Sequence, residues 1–192
     1  MAGVACLDAS VLVPLASADP LLRFARAEFY RPVWSTEILS EVRRALLRDG
    51  IVVDAARADR RILAMTTAFE DAAVRSVRSV ALIPSSVHAN DRHVVATAVA
   101  GNASVIVTNN VRHFAPTDVE LDLGIFVQTA DEFLASQWLI DRHRAARSIA
   151  ELLGALRHPP RSLDEHIAAL EAVDMPMFAR RIHEDRHLIS MP

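Results

Sequence analysis

Apolar and polar positions alternate between two periods along this chain, and the alternation predicts strands separated by helices. Gly3 to Leu7 is a short apolar run closed by Asp8, which reads as a buried strand. Val11 to Glu28 has helical spacing, with a break expected near Asp19-Pro20. Pro32-Val33-Trp34 reads as extended. Ser35 caps an expected helix from Thr36 to Leu47, with Trp34 as the preceding apolar staple and Gly50 as its stop. Asp54 caps a further helix to about Ala72, in which Ile62, Met65 and Phe69 share a face.

Val74 to Ile83 has weak strand character. Asn90 is expected to cap a helix from Asp91 to Ala100 that Gly101 ends. Ser104 to Thr108 is the clearest buried strand, and Ile125-Phe126-Val127 is the expected last one. Thr129-Ala-Asp-Glu132 has capping-box spacing and should start a long helix. Pro159-Pro160 breaks the chain, Ser162-Leu-Asp-Glu165 repeats the box, and a last helix should follow Pro176. Strands alternating with helices imply a mostly parallel sheet flanked by helices, an α/β fold, with an all-helical extension after it. The expected division is 1–135 for the α/β domain and 136–192 for the extension.

Composition narrows the chemistry. Hydrophobic residues make up 52% of the 192, enough for a substantial core. The formal charge of -3 gives no overall basic footprint for nucleic acid. A site built from carboxylates is itself acidic, however, and bound metal ions restore positive charge locally. All 21 basic residues are arginine, so no mechanism that needs a catalytic lysine applies. This removes haloacid-dehalogenase-like phosphatases and response-regulator receivers, and the five glycines leave little room for a dinucleotide fingerprint. Cys6 is alone and expected to be a small buried hydrophobe. With neither a secretory leader pattern nor an apolar run of membrane-spanning length, the chain reads as cytoplasmic.

The candidate chemistry sits where strands end. Asp8 follows the first strand and Asn109-Asn110 the strong one at 104–108, which puts them on the carboxyl edge of the sheet, where α/β folds bind ligands. Asp91, opening a helix, and Glu41, in mid-helix, can reach the same edge. Three converging carboxylates repel one another unless a cation joins them, and oxygen ligands suit Mg²⁺ or Mn²⁺. Arg43, Arg44, Arg92 and Arg112 flank these acids and are candidate phosphate contacts. His183 and His187 have i,i+4 spacing but no evident third ligand.

Four segments carry a resemblance. Leu7-Asp8-Ala9-Ser10-Val11-Leu12 resembles the opening motif of PIN domains, the nuclease fold of VapC-type toxins. Ile38-Leu39-Ser40-Glu41-Val42-Arg43-Arg44 resembles the helix bearing the second acid, Asp91 to Ala98 the third motif, and Thr108 to Phe114 the last. The order and spacing fit over residues 3 to 135, and the later helices resemble the helical extension of one PIN branch.

The resemblance implies a three-layer PIN-like fold and a metal-dependent endoribonuclease. Asp8, Glu41 and Asp91 would be its catalytic acids and metal ligands, with Ser10, Thr108, Asn110 and His113 in support. It also implies an antitoxin partner and a homodimer. The sequence departs from the family at His113, where relatives commonly carry an acid, and at Asn90, where an extra acid is often found. These departures favour Mn²⁺, or weaker Mg²⁺ binding, and supply the alternative reading: a degenerate module that binds RNA or protein without cutting.

Overall fold

The structure is a computed structural model that describes residues 3–52, 54–75, 83–156 and 161–189. Among these, β1 (Gly3–Leu7), β2 (Tyr30–Val33), β3 (Val105–Val107) and β4 (Phe126–Gln128) form one sheet in the order β2-β1-β3-β4. β1 pairs parallel with β3, Leu7 opposite Val107, and β3 pairs parallel with β4. The middle strands are buried because both sheet faces are covered, which is why their sequences are continuous apolar runs. The chain leaves β1 toward β2 on one side, while β3 lies on the other. The carboxyl ends of β1 and β3 are therefore neighbours at a switch of strand order.

Residues group into two compact units. The first is Met1–Val13 with Arg31–Gln128, and the second is Pro14–Tyr30 with Thr129–Pro192. In the first unit the helices are α1 (Ala9–Leu12), α3 (Thr36–Arg48), α4 (Ala55–Ala68), α5 (Arg92–Ala100) and α6 (Pro116–Leu123). α5 packs on β1 and β3, and α3 packs on α1, α4 and α5. Ser35 caps α3 by accepting from the Ile38 amide, and Asp54 caps α4 through the Arg57 amide. At the end of α5, a Cβ on Gly101 would meet Val33 Cγ2 at 2.9 Å, so only glycine lets α5 lie this close to β2.

In the second unit α2 (Leu15–Arg26) packs with α7 (Ala130–Ile140), α8 (Arg142–Ala155) and α9 (Leu163–Glu171), and α10 (Pro176–Glu184) packs on α7 and α9. Phe24, Trp138 and Phe178 form its aromatic centre, with Phe178 edge-on to the other two. Both capping boxes are present, at Thr129–Glu132 and Ser162–Glu165. Asp131 accepts from the Met177 and Phe178 amides and thereby caps α10 from another helix.

Several elements differ from expectation. The first helical break falls at Val13-Pro14, and α2 runs through Pro20, whose buried ring adds to the core. α4 ends at Ala68 and a 3-10 turn, Glu70–Ala72, completes the stretch. The long helix expected from Thr129 is two helices, because Asp141 adopts an extended backbone and caps α8 through the Arg144 amide. α6 was not expected, and the Pro159-Pro160 break and most of 74–83 lie outside the described residues. Cys6 is fully buried, and burial pushes its thiol up.

Candidate functional site

Asp8 and Asp91 both stand at helix N-caps, yet neither carboxylate caps its helix. That removes the ordinary reading of an aspartate before a helix and leaves both side chains for other work. Asp8 is 3% exposed. Its Oδ2 accepts from Ser10 Oγ at 2.7 Å and from Thr108 Oγ1 at 2.7 Å. The Asn109 amide donates to Ser10 Oγ at 2.9 Å and the Asn110 amide to Thr108 Oγ1 at 3.0 Å. Each hydroxyl has one proton, so filling its acceptor side from the backbone directs that proton at Asp8. The Ser10–Thr108 approach of 3.2 Å is then a by-product of both serving one oxygen. Among the described residues no donor is placed on Asp8 Oδ1, which stays available as a ligand.

Glu41 reaches the same place from α3. Its carboxyl is held above the usual glutamate range, first by burial and then by the charge of Asp8, with His93 and Arg44 acting in the opposite direction. Electrostatics thus tie Glu41 to Asp8. His93 Nε2 lies 3.3 Å from Glu41 Oε2 but makes no hydrogen bond and is buried. His93 Nδ1 is 2.8 Å from the Asn90 carbonyl, which only accepts, so Nδ1 carries the ring proton. In the neutral ring two acceptors then face each other, Nε2 and Oε2, and a cation between them relieves that opposition.

Asp91 has a different environment. Its Oδ2 lies 3.2 Å from His88 Nδ1 and 3.2 Å from His113 Nδ1. The two rings stack with centroids 5.1 Å apart, and the His88 amide donates to the His113 carbonyl at 2.8 Å. Ligand atoms of His88, Asp91 and His113 all lie within 4.8 Å of one another, the tightest metal-capable group among the described residues. The three acids Asp8, Glu41 and Asp91 do not form so tight a group. Two imidazoles and a carboxylate suit Mn²⁺ and later transition ions better than Mg²⁺.

The supporting residues divide by mechanism. Ser10 and Thr108 act through hydroxyls on Asp8, whereas Asn110 enters through its main chain: its amide donates to Thr108 and its carbonyl accepts from the His113 amide. Asn90 does not cap α5. It lies in a 3-10 turn, Ala89–Asp91, where His88 Nδ1 accepts from the Asn90 amide at 3.4 Å. Of the four arginines, Arg43 forks onto Asp59 and Arg44 lies 3.8 Å from Glu41. Arg92 donates to the Ile83 and Pro84 carbonyls, and Arg112 is exposed. His183 and His187 are exposed, and no metal-capable group among the described residues includes them.

Two histidines join the site that the sequence did not place there, and Asn109, expected at this sheet edge, takes a defined part. Asn109 locks the β1 and β3 ends together, its side chain donating to the Ser10 carbonyl at 3.0 Å. One of the histidines is His93, set against Glu41. His88 had no role assigned, although its spacing of three from Asp91 across a turn was a readable signal.

Comparison with known proteins agrees with this geometry. The PIN domain model matches residues 4–112, more than half of the chain, and the VapC50 C-terminal domain model matches residues 130–184. No curated protein and no solved structure shows significant similarity to the chain. The first match spans Asp8, Glu41 and Asp91 together, and the second spans the helices after β4. The chain therefore belongs to the PIN-domain family, as a VapC-type member with a C-terminal helical domain.

Proposed function

We propose that this protein is a metal-dependent endoribonuclease and the toxin of a toxin–antitoxin pair, with Asp8, Glu41 and Asp91 as its catalytic, metal-holding acids. The observation that carries the reading is the Glu41–His93 acceptor pair beside Asp8, whose Oδ1 is left open while two hydroxyls fix Oδ2. A buried ring nitrogen left without a donor and facing a carboxylate oxygen is costly without a cation, and PIN-domain nucleases use divalent metals.

Asp8, Glu41 and Asp91 would hold Mg²⁺ or Mn²⁺, with His93 and the His88–His113 pair available as nitrogen ligands. A bound divalent ion supplies Lewis-acid polarisation of the phosphodiester and makes water a usable nucleophile near neutral pH. The residues of the chain do the positioning. Ser10 and Thr108 hold the Asp8 carboxylate in one orientation. Asn109 and Asn110 fix those hydroxyls, so little reorganisation is needed on binding. The expected reaction is in-line attack of water on the RNA phosphodiester, leaving 5′-phosphate and 3′-hydroxyl ends. Detection of 2′,3′-cyclic phosphate would refute that route.

The reading keeps the nuclease within residues 1–135 and assigns 136–192 to contacts with RNA or with an antitoxin. It makes the protein cytoplasmic, and no described helix is long and apolar enough to cross a membrane. A homodimer is expected, and a monomer by light scattering at micromolar concentration would count against it.

A second reading, a module that binds RNA or a protein partner without cleaving, is favoured by one observation: Asp91 Oδ2 already has two histidine nitrogens at 3.2 Å. RNA cleavage with Mg²⁺ or Mn²⁺ against EDTA separates the two. Cleavage that requires metal and is lost in Asp8→Ala supports the nuclease. An inactive wild type whose His113→Asp variant cleaves supports the second reading.

A further inference from the structure

The helical unit contains a cleft of about 270 Å³ between α2 and α8. Its lining is Arg23, Arg26 and Ala27 from the α2 side, and Arg144, Arg147, Ser148 and Glu151 from α8. The unit as a whole has more carboxylates than arginines, so four guanidiniums around one cleft is a local concentration. Elsewhere in this unit most described arginines are matched to acids: Arg142 to Asp185, Arg180 and Arg181 to Glu184, Arg186 to Asp164. Around the cleft only Arg144 is, to Asp141 at 3.6 Å. Among the described residues Arg23, Arg26 and Arg147 have no ion pair.

Arg144 is set into the wall. Its guanidinium lies over the Phe29 ring, 4.3 Å from the centroid, which fixes its plane. Arg144 Nε is buried without a hydrogen-bond partner, and its nearest acid, Asp141, is 3.6 Å away. The Ser148 hydroxyl is turned inward to the Arg144 carbonyl. Glu151 is the one acid at the rim, against four positive charges.

We propose that this cleft is a phosphate-binding site for the backbone of a single-stranded RNA, separate from the acid cluster. The class of ligand follows from the lining. Guanidinium forks match phosphate oxygens in pairs, and like charges gathered in excess of their counter-ions are stabilised by an anion. The volume is small for a whole cofactor, and Ala27 is the only apolar lining residue. A base would have nothing to stack on, so the contact is to phosphate and sugar and carries no sequence preference. An acidic protein segment would need apolar anchors that the cleft lacks. The proposal rests on the nuclease reading for RNA as the polyanion, but its test does not require cleavage.

The test uses the full chain in EDTA and a fluorescent single-stranded RNA oligonucleotide, with anisotropy measured across a salt series. The pair Arg23→Gln and Arg147→Gln is compared with Arg57→Gln and Arg60→Gln, which remove the same charge from α4. The cleft variant should lose about tenfold in affinity and flatten the slope of log K against log salt by about 1.4, since each of the two phosphate contacts on a single strand contributes roughly 0.7. The α4 variant should change neither.

Lysine at both cleft positions should restore the salt slope and only part of the affinity. Equal losses in the two pairs, or no loss in the cleft pair, would overturn the site. So would an oligo-glutamate peptide that binds through Arg23 and Arg147 when the RNA does not. Cleavage by the wild type is assayed in parallel: arginine-dependent binding without cleavage sinks the nuclease and keeps the cleft, and cleavage without arginine-dependent binding does the reverse.

Discussion

His93 Nε2, buried and without a hydrogen-bond partner, lies 3.3 Å from Oε2 of the half-buried Glu41, on helices α5 and α3, which pack on one another. Because the Asn90 carbonyl takes the proton of Nδ1, Nε2 has only a lone pair to offer in the neutral ring. A divalent ion should therefore stabilise the fold through this pair. Saturating Mn²⁺, at about 100 times its dissociation constant, should add about 2.7 kcal/mol to unfolding stability. In Asp8→Asn and in His93→Leu that gain should shrink by half or more, read as the Tm shift between EDTA and Mn²⁺. An undiminished shift in both variants would place the ion elsewhere.

The Asp8 cluster predicts a separation between folding and catalysis. Thr108→Val removes one of the two hydroxyls on Asp8 Oδ2 and the acceptor of the Asn110 amide. Stability should fall by about 1–2 kcal/mol, the cost of an unsatisfied buried group. Cleavage should fall further, by about tenfold or more, because a carboxylate free to rotate positions a ligand poorly. Comparison of the unfolding midpoint with kcat for the same variant checks this. Activity that falls only as the folded fraction falls would make Thr108 structural alone.

His166 gives the helical unit a dependence on pH. Burial, aided by the charge of Arg161, holds its pKa down at about 4 from an ordinary 6.5, and neither ring nitrogen has a hydrogen-bond partner. Below pH 6.5 the unfolded chain takes up a proton that the folded ring refuses until about pH 4. The contribution is complete above pH 6.5 and is lost as pH falls toward 4, to a total on the order of 3 kcal/mol. Urea unfolding followed by Trp138 fluorescence in a Trp34→Phe background, at pH 7.5 and 4.5, reads it. His166→Leu should flatten the difference between the two pH values.

Asp185 is the polar tie of the same unit. It accepts from Trp138 Nε1 at 2.7 Å and from the Arg142 fork at 2.7 and 2.6 Å. Burial works to raise its carboxyl pKa, and these hydrogen bonds outweigh it and hold the group below the usual range. Asp185→Ala leaves the buried indole N–H unpaired, while the half-exposed Arg142 recovers water. The expected loss is about 2 kcal/mol by urea unfolding. A loss under 0.5 kcal/mol would show that Trp138 finds another acceptor.

What the sequence revealed followed short-range physics. Strands β1 and β3 announced themselves because they are apolar on both faces, and the two capping boxes because three-residue spacing is local. Asp8, Ser10 and Thr108 were readable because parallel pairing puts strand ends together. What stayed hidden depended on packing. Pro20 reads as a helix break, yet its ring is buried and the helix continues. Asp141 looks like one more polar residue in a long helix, and only its extended backbone splits it in two. The role of His88 depends on a 3-10 turn that turns its ring toward Asp91, and on a backbone bond to His113, 25 residues away along the chain.

On the proposed reading, that histidine pair would set the preferred metal. With His88 and His113 both 3.2 Å from Asp91 Oδ2, the donor set around this acid is nitrogen-rich, which favours Mn²⁺ over Mg²⁺. His113→Asp would replace one nitrogen donor with a carboxylate and move the set toward hard-ion ligands. The concentration of Mg²⁺ giving half-maximal cleavage should fall by about tenfold in that variant, while the Mn²⁺ requirement changes less. His88→Ala removes a nitrogen without adding an oxygen, so it should weaken Mn²⁺ and leave Mg²⁺ poor. A ratio of Mn²⁺ to Mg²⁺ affinity, by calorimetry, that is the same in all three proteins would mean that the histidines only pack against Asp91. A ratio that falls in both variants, with Mg²⁺ gained only in His113→Asp, would assign the imidazoles to the metal.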